Sequence, residues 1–166
     1  MLKHILQKAL CCALLCSVGF AAETFPRLSG ETLAGNAIVL PDAAKGKQII
    51  LIISFSRAAQ EQTRSWGEKL KQQLPGVARY QVLELEDVPR FFRGFVKSSI
   101  RKGIPQESQN NFVLLFEGQD ALKKIANYQS ADDAYVVLLD ANGNVTWREH
   151  GAVNDGKIAG LAKGVK

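Results

Sequence analysis

The chain has 166 residues, of which 46% are hydrophobic and 22% are charged, with a formal net charge of +5. This composition is typical of one ordinary globular domain and argues against a disordered, collagen-like or coiled-coil chain. All three cysteines, Cys11, Cys12 and Cys16, lie within the first 16 residues. A domain that begins after them is therefore free of cysteine.

Residues 1–21 have the pattern of a secretory signal peptide. Lys3 and Lys8 precede an apolar run from Ala9 to Phe20, and small residues follow it. The run of 12 residues is shorter than a bilayer-spanning helix, which needs about 20 apolar residues. We therefore expect the segment to be cleaved, leaving residues 22–166 as one domain in the periplasm or outside the cell.

The charge and the remaining residue types limit the chemistry of this domain. Loss of the leader removes two lysines and no acid, so the net charge falls from +5 to +3, too little to indicate nucleic acid binding. His150 is then the only histidine, and no cysteine remains. The sequence thus offers no disulfide, no thiol nucleophile and no Cys/His metal site, and it indicates no cofactor.

The first predicted elements of the domain are a strand and a helix. The continuous apolar, β-branched run from Gln48 to Phe55 predicts a strand that is buried on both faces of a sheet. The next segment repeats core-type residues at helical spacing and ends at Pro75-Gly76. Those positions are Ala59, Thr63, Trp66, Leu70 and Leu74.

The rest of the chain continues this alternation and closes with a hairpin. The further predicted elements are strands at 78–86, 111–117, 134–140 and 145–151, and helices at 89–103, 119–128 and after the cap Asn154-Asp155. The turn sequence Asp140-Ala-Asn-Gly-Asn144 makes the last two strands antiparallel. We predict an α/β fold in which helices flank a mixed sheet, with a closing β-hairpin and a C-terminal helix.

Two stretches carry a resemblance to a known superfamily. The strings FPRLSGETLAGNAIVLPDAAKGKQIILIISF and VVLLDANGNVTWREHG resemble the thioredoxin-like superfamily, in particular its peroxiredoxin-like and secreted thiol-disulfide oxidoreductase branch. Redox-active relatives carry Cys-x-x-Cys after the first core strand. Here that place reads SFSRAAQEQT, so the two sulfurs would fall at or next to Gln60 and Thr63. The relatives' cis-proline before the hairpin strand is also missing from Ser130 to Tyr135. The resemblance therefore implies a thioredoxin-like fold without thiol chemistry.

A narrower resemblance is to the ATP-synthase assembly-factor family of mitochondria. It is carried by Phe25-Pro26, by Leu40-Pro41, by the pattern from Ile53 to Trp66, and above all by VPRFFRGFVKSSIRKGIP from Val88 to Pro105. Members of this family are similar to degenerate peroxiredoxins. The resemblance implies a chaperone-like role in assembly at or near a membrane, with a protein client such as a membrane-complex subunit.

The helix predicted at 89–103 is strongly amphipathic. On a helical wheel Arg90, Arg93, Lys97 and Arg101 fall within about 80° of one another, while Phe91, Phe92, Phe95, Val96 and Ile100 occupy the other side. Two interpretations follow, and both place the basic stripe in solvent. It is either an ordinary solvated face over a core helix, or, with Lys102, a docking face for an anionic membrane surface or an acidic partner segment.

Other motifs are weaker. Gly151 to Lys157 has P-loop spacing, but residue 158 is Ile where magnesium binding needs Ser or Thr. The acidic groups Asp132-Asp133 and Glu84 to Asp87 have no evident partner, and we expect them to be solvated; His150 is expected to be structural or exposed.

We predict a monomeric or weakly associating binding or assembly module. Two alternatives remain open. One is a thiol-disulfide oxidoreductase or peroxiredoxin by descent. The other is a small-ligand binder that uses the vacated cleft near Arg57, Gln60 and Tyr135.

Overall fold

The structure, a computed structural model, describes residues 22–166, so the predicted signal peptide lies outside the described residues. The strands are β1 (Leu28–Thr32), β2 (Ala37–Leu40), β3 (Ile49–Ser54), β4 (Ala78–Glu84), β5 (Phe112–Leu115), β6 (Tyr135–Leu139) and β7 (Val145–His150). The α-helices are α1 (Gln60–Gln73), α2 (Arg93–Lys102), α3 (Gln119–Ala126) and α4 (Asp155–Gly164). No helix of this part of the chain has the length and apolar character needed to cross a membrane.

The strands form one seven-stranded mixed sheet in the order β2-β1-β5-β4-β3-β6-β7. The strands β3, β4 and β5 are parallel to one another, whereas β6 is antiparallel to β3 and pairs with β7 in the closing hairpin. The predicted α/β class, the mixed sheet, the hairpin and the C-terminal helix are therefore confirmed.

The sheet is covered on both faces, which gives the domain two hydrophobic cores. Alternate residues of β3 point into them, since Ile49, Leu51 and Ile53 belong to one core and Ile50 and Ile52 to the other. Helix α3 covers the first core, and α1 and α4 cover the second. We expect residues 22–166 to fold on their own, because this segment supplies a complete sheet and the helices that cover both of its faces.

The N-terminal hairpin of β1 and β2 was not among the predicted elements. These strands have only five and four residues, and β1 contains a glycine and a serine, so the alternation of apolar and polar residues is too short to identify. Gly30 has a packing role there, because a Cβ at this position would lie 2.6 Å from the backbone oxygen of Leu114 on the neighbouring β5.

We expect Gly30→Ala to lower the free energy of unfolding of residues 22–166 by about 1–3 kcal/mol, because a backbone oxygen cannot move aside as a flexible side chain can. Gly76→Ala is the matched control, since a Cβ there meets no atom within 4 Å. The control should change the free energy by no more than about 0.5 kcal/mol in denaturant titration. Equal effects of the two substitutions would contradict this packing role.

The turn of the closing hairpin gives a pH prediction. The backbone N–H of Asn144 is the main cause that holds the pKa of Asp140 below its ordinary value, and the Asn144 amide and the Asn142 N–H add to it. A carboxyl whose pKa is lower in the folded state stabilises the fold above its unfolded pKa of about 4, and this stabilisation disappears as pH falls through the folded pKa. The difference in unfolding free energy between the wild type and Asp140→Asn should therefore shrink below about pH 4. A difference that does not depend on pH would contradict the assignment.

Candidate functional site

Gln60 and Thr63, at or next to which the resemblance places the sulfurs of redox-active relatives, lie in the first turn of α1. Gln60 is the first residue of this helix and is exposed, whereas Thr63 is buried, and its hydroxyl donates to the Gln60 carbonyl oxygen at 2.9 Å. We call Gln60 and Thr63 the redox position. The buried strand β3 ends at Ser54, and only five residues separate it from this helix.

The loop before β6 lacks the cis-proline of the redox-active relatives. Hydrogen bonds to side chains hold this loop instead. The backbone N–H of Ala134, just before β6, donates to the Gln62 side-chain oxygen at 3.0 Å. The Ser56 hydroxyl, before α1, donates to the Ala131 carbonyl oxygen at 2.8 Å. A proline has no N–H to satisfy, so Gln62 provides the acceptor that this non-proline sequence requires.

Aromatic side chains cluster at the C-terminal end of β3, where Phe55, Tyr128 and Tyr135 pack in the first core. The ring of Phe55 packs edge-on against Tyr128 and Tyr135, with centroids 5.0 and 5.4 Å apart. The ring of Tyr135 stacks on Tyr128 at 5.7 Å and on His150 at 5.8 Å. We call Phe55, Tyr128, Tyr135 and His150 the aromatic plug. Aromatic pairs at such distances are favourable in both edge-on and stacked geometry.

The hydroxyl of Tyr135 fastens this plug to the loop before β6. It accepts hydrogen bonds from the backbone N–H groups of Gln129 and Ser130 and donates to the Ser130 carbonyl oxygen, each at 2.8 Å. The Tyr135 side chain has no exposed surface. Tyr135 therefore offers no surface to a ligand in a cleft near Arg57 and Gln60, because its ring is a core residue and its hydroxyl bonds to the backbone.

Two open cavities lie elsewhere on the domain. One of about 520 Å³ is lined by residues that include Lys47, Arg79 and Lys166, and one of about 220 Å³ by residues that include Phe25 and Asp140. Neither is lined by Arg57, Gln60 or Tyr135.

Helix α2 faces the domain with its basic side, which is the reverse of the orientation expected from the sequence. Lys97 forms an ion pair with Glu31 of β1 at 2.8 Å, with 22% and 34% of the two side chains exposed. The guanidinium of Arg101 donates twice to the Leu33 carbonyl oxygen, at 2.9 and 2.5 Å. Arg93 donates to the Val88 carbonyl oxygen at 3.1 Å.

The physical reason is that Glu31 and the Leu33 carbonyl oxygen accept from Lys97 and Arg101, while Val88, just before the helix, accepts from Arg93. Residues four positions apart share one face of a helix, so Arg93, Lys97 and Arg101 form a single row toward a carboxylate and two carbonyl oxygens. The guanidinium of Arg93 also lies 4.5 Å from the ring centre of Phe116, within cation–π range. The prediction of a basic stripe in solvent is wrong for Arg93 and Lys97, which are half-buried, whereas Arg101 is exposed although it bonds to the Leu33 carbonyl oxygen.

The aromatic side of the same segment is exposed. Phe91, Phe92 and Phe95 expose 80%, 51% and 74% of their surface, and they are the exposed large hydrophobic residues of the part of the chain that the structure describes. We call these three residues the phenylalanine patch. Of the predicted binding residues, Arg90, Arg101 and Lys102 are exposed, and Arg90 and Lys102 form no ion pair within residues 22–166.

The acidic residues after β4 have a structural role that the sequence did not indicate. One Glu84 oxygen accepts from the Glu86 backbone N–H at 2.5 Å and the other from the Gln119 amide at 2.7 Å. Glu86 accepts from the Gln119 backbone N–H at 2.7 Å. Because the N-cap residue of α3 is Gly118, which has no side chain, Glu86 supplies the missing cap from a distant segment. The prediction that these carboxylates are solvated is wrong for Glu84, which is buried.

His150 and the P-loop-like segment also have structural partners. The His150 Nδ1 lies 2.9 Å from a carboxylate oxygen of Asp133. The Lys157 ammonium donates to the His150 carbonyl oxygen, and Asn154 caps α4 by accepting from the Lys157 N–H at 2.9 Å. The lysine of the P-loop-like motif is thus hydrogen-bonded to the residue that directly precedes the motif.

Comparison with known proteins identifies a family and a fold. The family described as ATP10 protein matches residues 20–166. No protein of curated function matches the chain.

Solved structures with a thioredoxin-like or peroxiredoxin-like fold are similar over most of the chain. An exposed lipoprotein thioredoxin (Etrx1) from Streptococcus pneumoniae has a TM-score of 0.57 at 15% identity, covering 83% of this chain and 98% of that one. BsSco, a member of the Sco family of cytochrome c oxidase assembly proteins, has 0.58 at 12%, covering 87% and 94%. A peroxiredoxin-like protein from Aquifex aeolicus has 0.53 at 14%, covering 86% and 85%. At these identities the likeness concerns the fold.

The aromatic plug gives a stability prediction. We expect Tyr135→Phe to lower the free energy of unfolding by about 1–3 kcal/mol, because it removes three partly buried hydrogen bonds to the backbone of Gln129 and Ser130. Tyr128→Phe is the control, since its hydroxyl takes no part in this network. It should change the free energy by less than about 0.5 kcal/mol in the same denaturant titration. If Tyr135→Phe were equally mild, the hydroxyl would not be holding the loop.

Proposed function

The chain belongs to the ATP10 protein family, and on that premise we propose that it is an exported assembly module that acts without thiol chemistry on a protein subunit of a membrane complex. Export is supported by the signal-peptide pattern of residues 1–21. The fold is compatible with this location, because a thioredoxin-like neighbour from Streptococcus pneumoniae is an exposed lipoprotein.

The absence of sulfur at the redox position is the observation that carries the proposal. A mixed disulfide and the thiolate route to peroxide reduction both require sulfur, and residues 22–166 contain no cysteine. The exposed Gln60 side chain and the buried Thr63 hydroxyl stand in the first turn of α1, where a redox-active relative would carry its sulfurs. A domain of this kind retains the fold of the oxidoreductases but offers a substrate disulfide no group to attack it.

Absence of cysteine also suits the proposed location. Exported compartments are oxidising, and free thiols there form disulfides. A protein that holds a client only temporarily gains from having no thiol that could link to it covalently. Assembly work on this fold has a parallel in BsSco, which belongs to a family of cytochrome c oxidase assembly proteins.

The proposal predicts that subunits of the membrane ATP synthase are captured with the protein. The chain, tagged at its C-terminus and produced in the organism that encodes it, is crosslinked in the intact envelope, and the membranes are then solubilised in a mild detergent. We expect enrichment of an ATP-synthase subunit over an exported control protein that carries the same tag. The same preparation, processed to residues 22–166, should reduce insulin disulfides no faster than buffer.

Two results would contradict the proposal in different ways. Capture of soluble exported proteins alone, without a subunit of any membrane complex, would remove the assembly role. Reduction of insulin disulfides by the processed protein above the buffer rate would show that it does carry out thiol-disulfide chemistry. It would then favour the oxidoreductase alternative.

A further inference from the structure

The surface around α2 combines exposed aromatic side chains with positive charge that has no acidic partner within residues 22–166. Three phenylalanines of one short segment are exposed, two of them by more than 70%. Exposed apolar residues that occur singly need no explanation, but a contiguous group indicates an interaction site. The rings of Phe91 and Phe92 also contact each other, with centroids 4.4 Å apart, so they form one surface.

The outward face of α2 extends the aromatic surface of Phe91 and Phe92, and a lysine lies at the C-terminal end of this face. Positions i, i+4 and i+7 share a helix face, and here they are Phe95, Ser99 and Lys102, all of which are exposed. Arg90 is exposed directly before the phenylalanine patch. Free cations therefore stand at both ends of an aromatic surface.

The charge of the segment has a single sign. Between Val88 and Pro105 the sequence has five basic residues and no acidic residue. Lys97 is neutralised by Glu31, and Arg101 is held by the Leu33 carbonyl oxygen. Arg90 and Lys102 form no ion pair within residues 22–166. The partner of this surface must accept aromatic rings and carry negative charge.

We propose that this surface docks the protein on an anionic phospholipid bilayer, with the phenylalanine patch in the headgroup region and Arg90 and Lys102 against lipid phosphates. Aromatic side chains concentrate at membrane interfaces, and basic residues beside them are attracted to anionic lipids. Side chains exposed by 74% and 80% project from the domain, and a fluid interface accommodates projecting rings without a preformed pocket. An apolar protein segment would leave the two cations without a counter-charge.

The inference goes beyond the proposed function, because it concerns where the protein sits and not which client it holds. It also explains the inverted orientation of α2. The inward row of Arg93, Lys97 and Arg101 anchors the helix to the domain by polar contacts, and this leaves the aromatic side free for the bilayer.

Flotation of residues 22–166 with lipid vesicles tests the proposal. We expect binding to vesicles in which about a third of the phosphatidylcholine is replaced by phosphatidylglycerol, and much weaker binding to phosphatidylcholine alone. Added salt should weaken the binding without abolishing it, because the apolar contribution is not screened. Phe91→Ser with Phe95→Ser should lower the partition coefficient by about tenfold or more.

Charge variants supply a matched comparison. Arg90→Glu with Lys102→Glu should remove the preference for anionic vesicles. Lys71→Glu with Lys163→Glu makes the same change in net charge at exposed positions of α1 and α4 and should leave that preference nearly intact. Unchanged thermal unfolding of each variant would establish that the fold is preserved.

Three outcomes would overturn the proposal. They are failure of the wild type to float with anionic vesicles, binding that survives loss of both phenylalanines, and equal effects of the two charge pairs. If the patch variants lose a captured client while the wild type ignores lipid, the surface is a protein interface instead. Because the vesicle assay contains no client, its failure leaves the assembly proposal standing.

Discussion

The burial of β3 on both faces is the constraint on which the rest of the structure depends. Its residues Ile49 to Ile53 have almost no exposed surface, and they divide between the two cores. A strand of this kind must lie inside a sheet that is covered by helices on both sides. Its C-terminal end therefore fixes where α1 begins, and its pairing of Ile53 with Tyr135 brings β6 to the same place. The redox position and the aromatic plug lie at the same end of β3 for this reason.

This arrangement separates the fold from the chemistry that usually accompanies it. A helix N-terminus after the first core strand is where a thiolate would be stabilised, and the protein keeps that helix without the sulfur. At the same end of β3, the Tyr135 hydroxyl ties a set of core aromatics to the loop before β6. The fold alone does not define a function, so the proposed function has to rest on surface features. The exposed feature that needs explanation is the phenylalanine patch, in which Phe91 and Phe92 directly precede α2 and Phe95 lies in its first turn.

The sequence predicted the parts of the structure that depend on local pattern. The apolar run of β3, the helical spacing of Thr63, Trp66 and Leu70, and the turn before β7 all have short-range signals, and each is found where it was expected. Residues whose partners are distant in the sequence were missed. Lys97 has no acid nearby on its own helix, yet it pairs with Glu31, which lies 66 positions away. Glu86 caps a helix that begins 33 positions later. Amphipathicity predicts that a helix has two faces, but tertiary contacts decide which face points inward.

The central claim is that this fold supports assembly of a membrane complex without thiol chemistry. Its most direct test is the amount of assembled ATP synthase in membranes of a strain that lacks the chain, measured on native gels after complementation. We predict that the amount falls in the deletion strain and is restored by a chain in which Cys11, Cys12 and Cys16 are all replaced by alanine. Unchanged assembly without the chain, or rescue that requires one of these cysteines, would contradict the account.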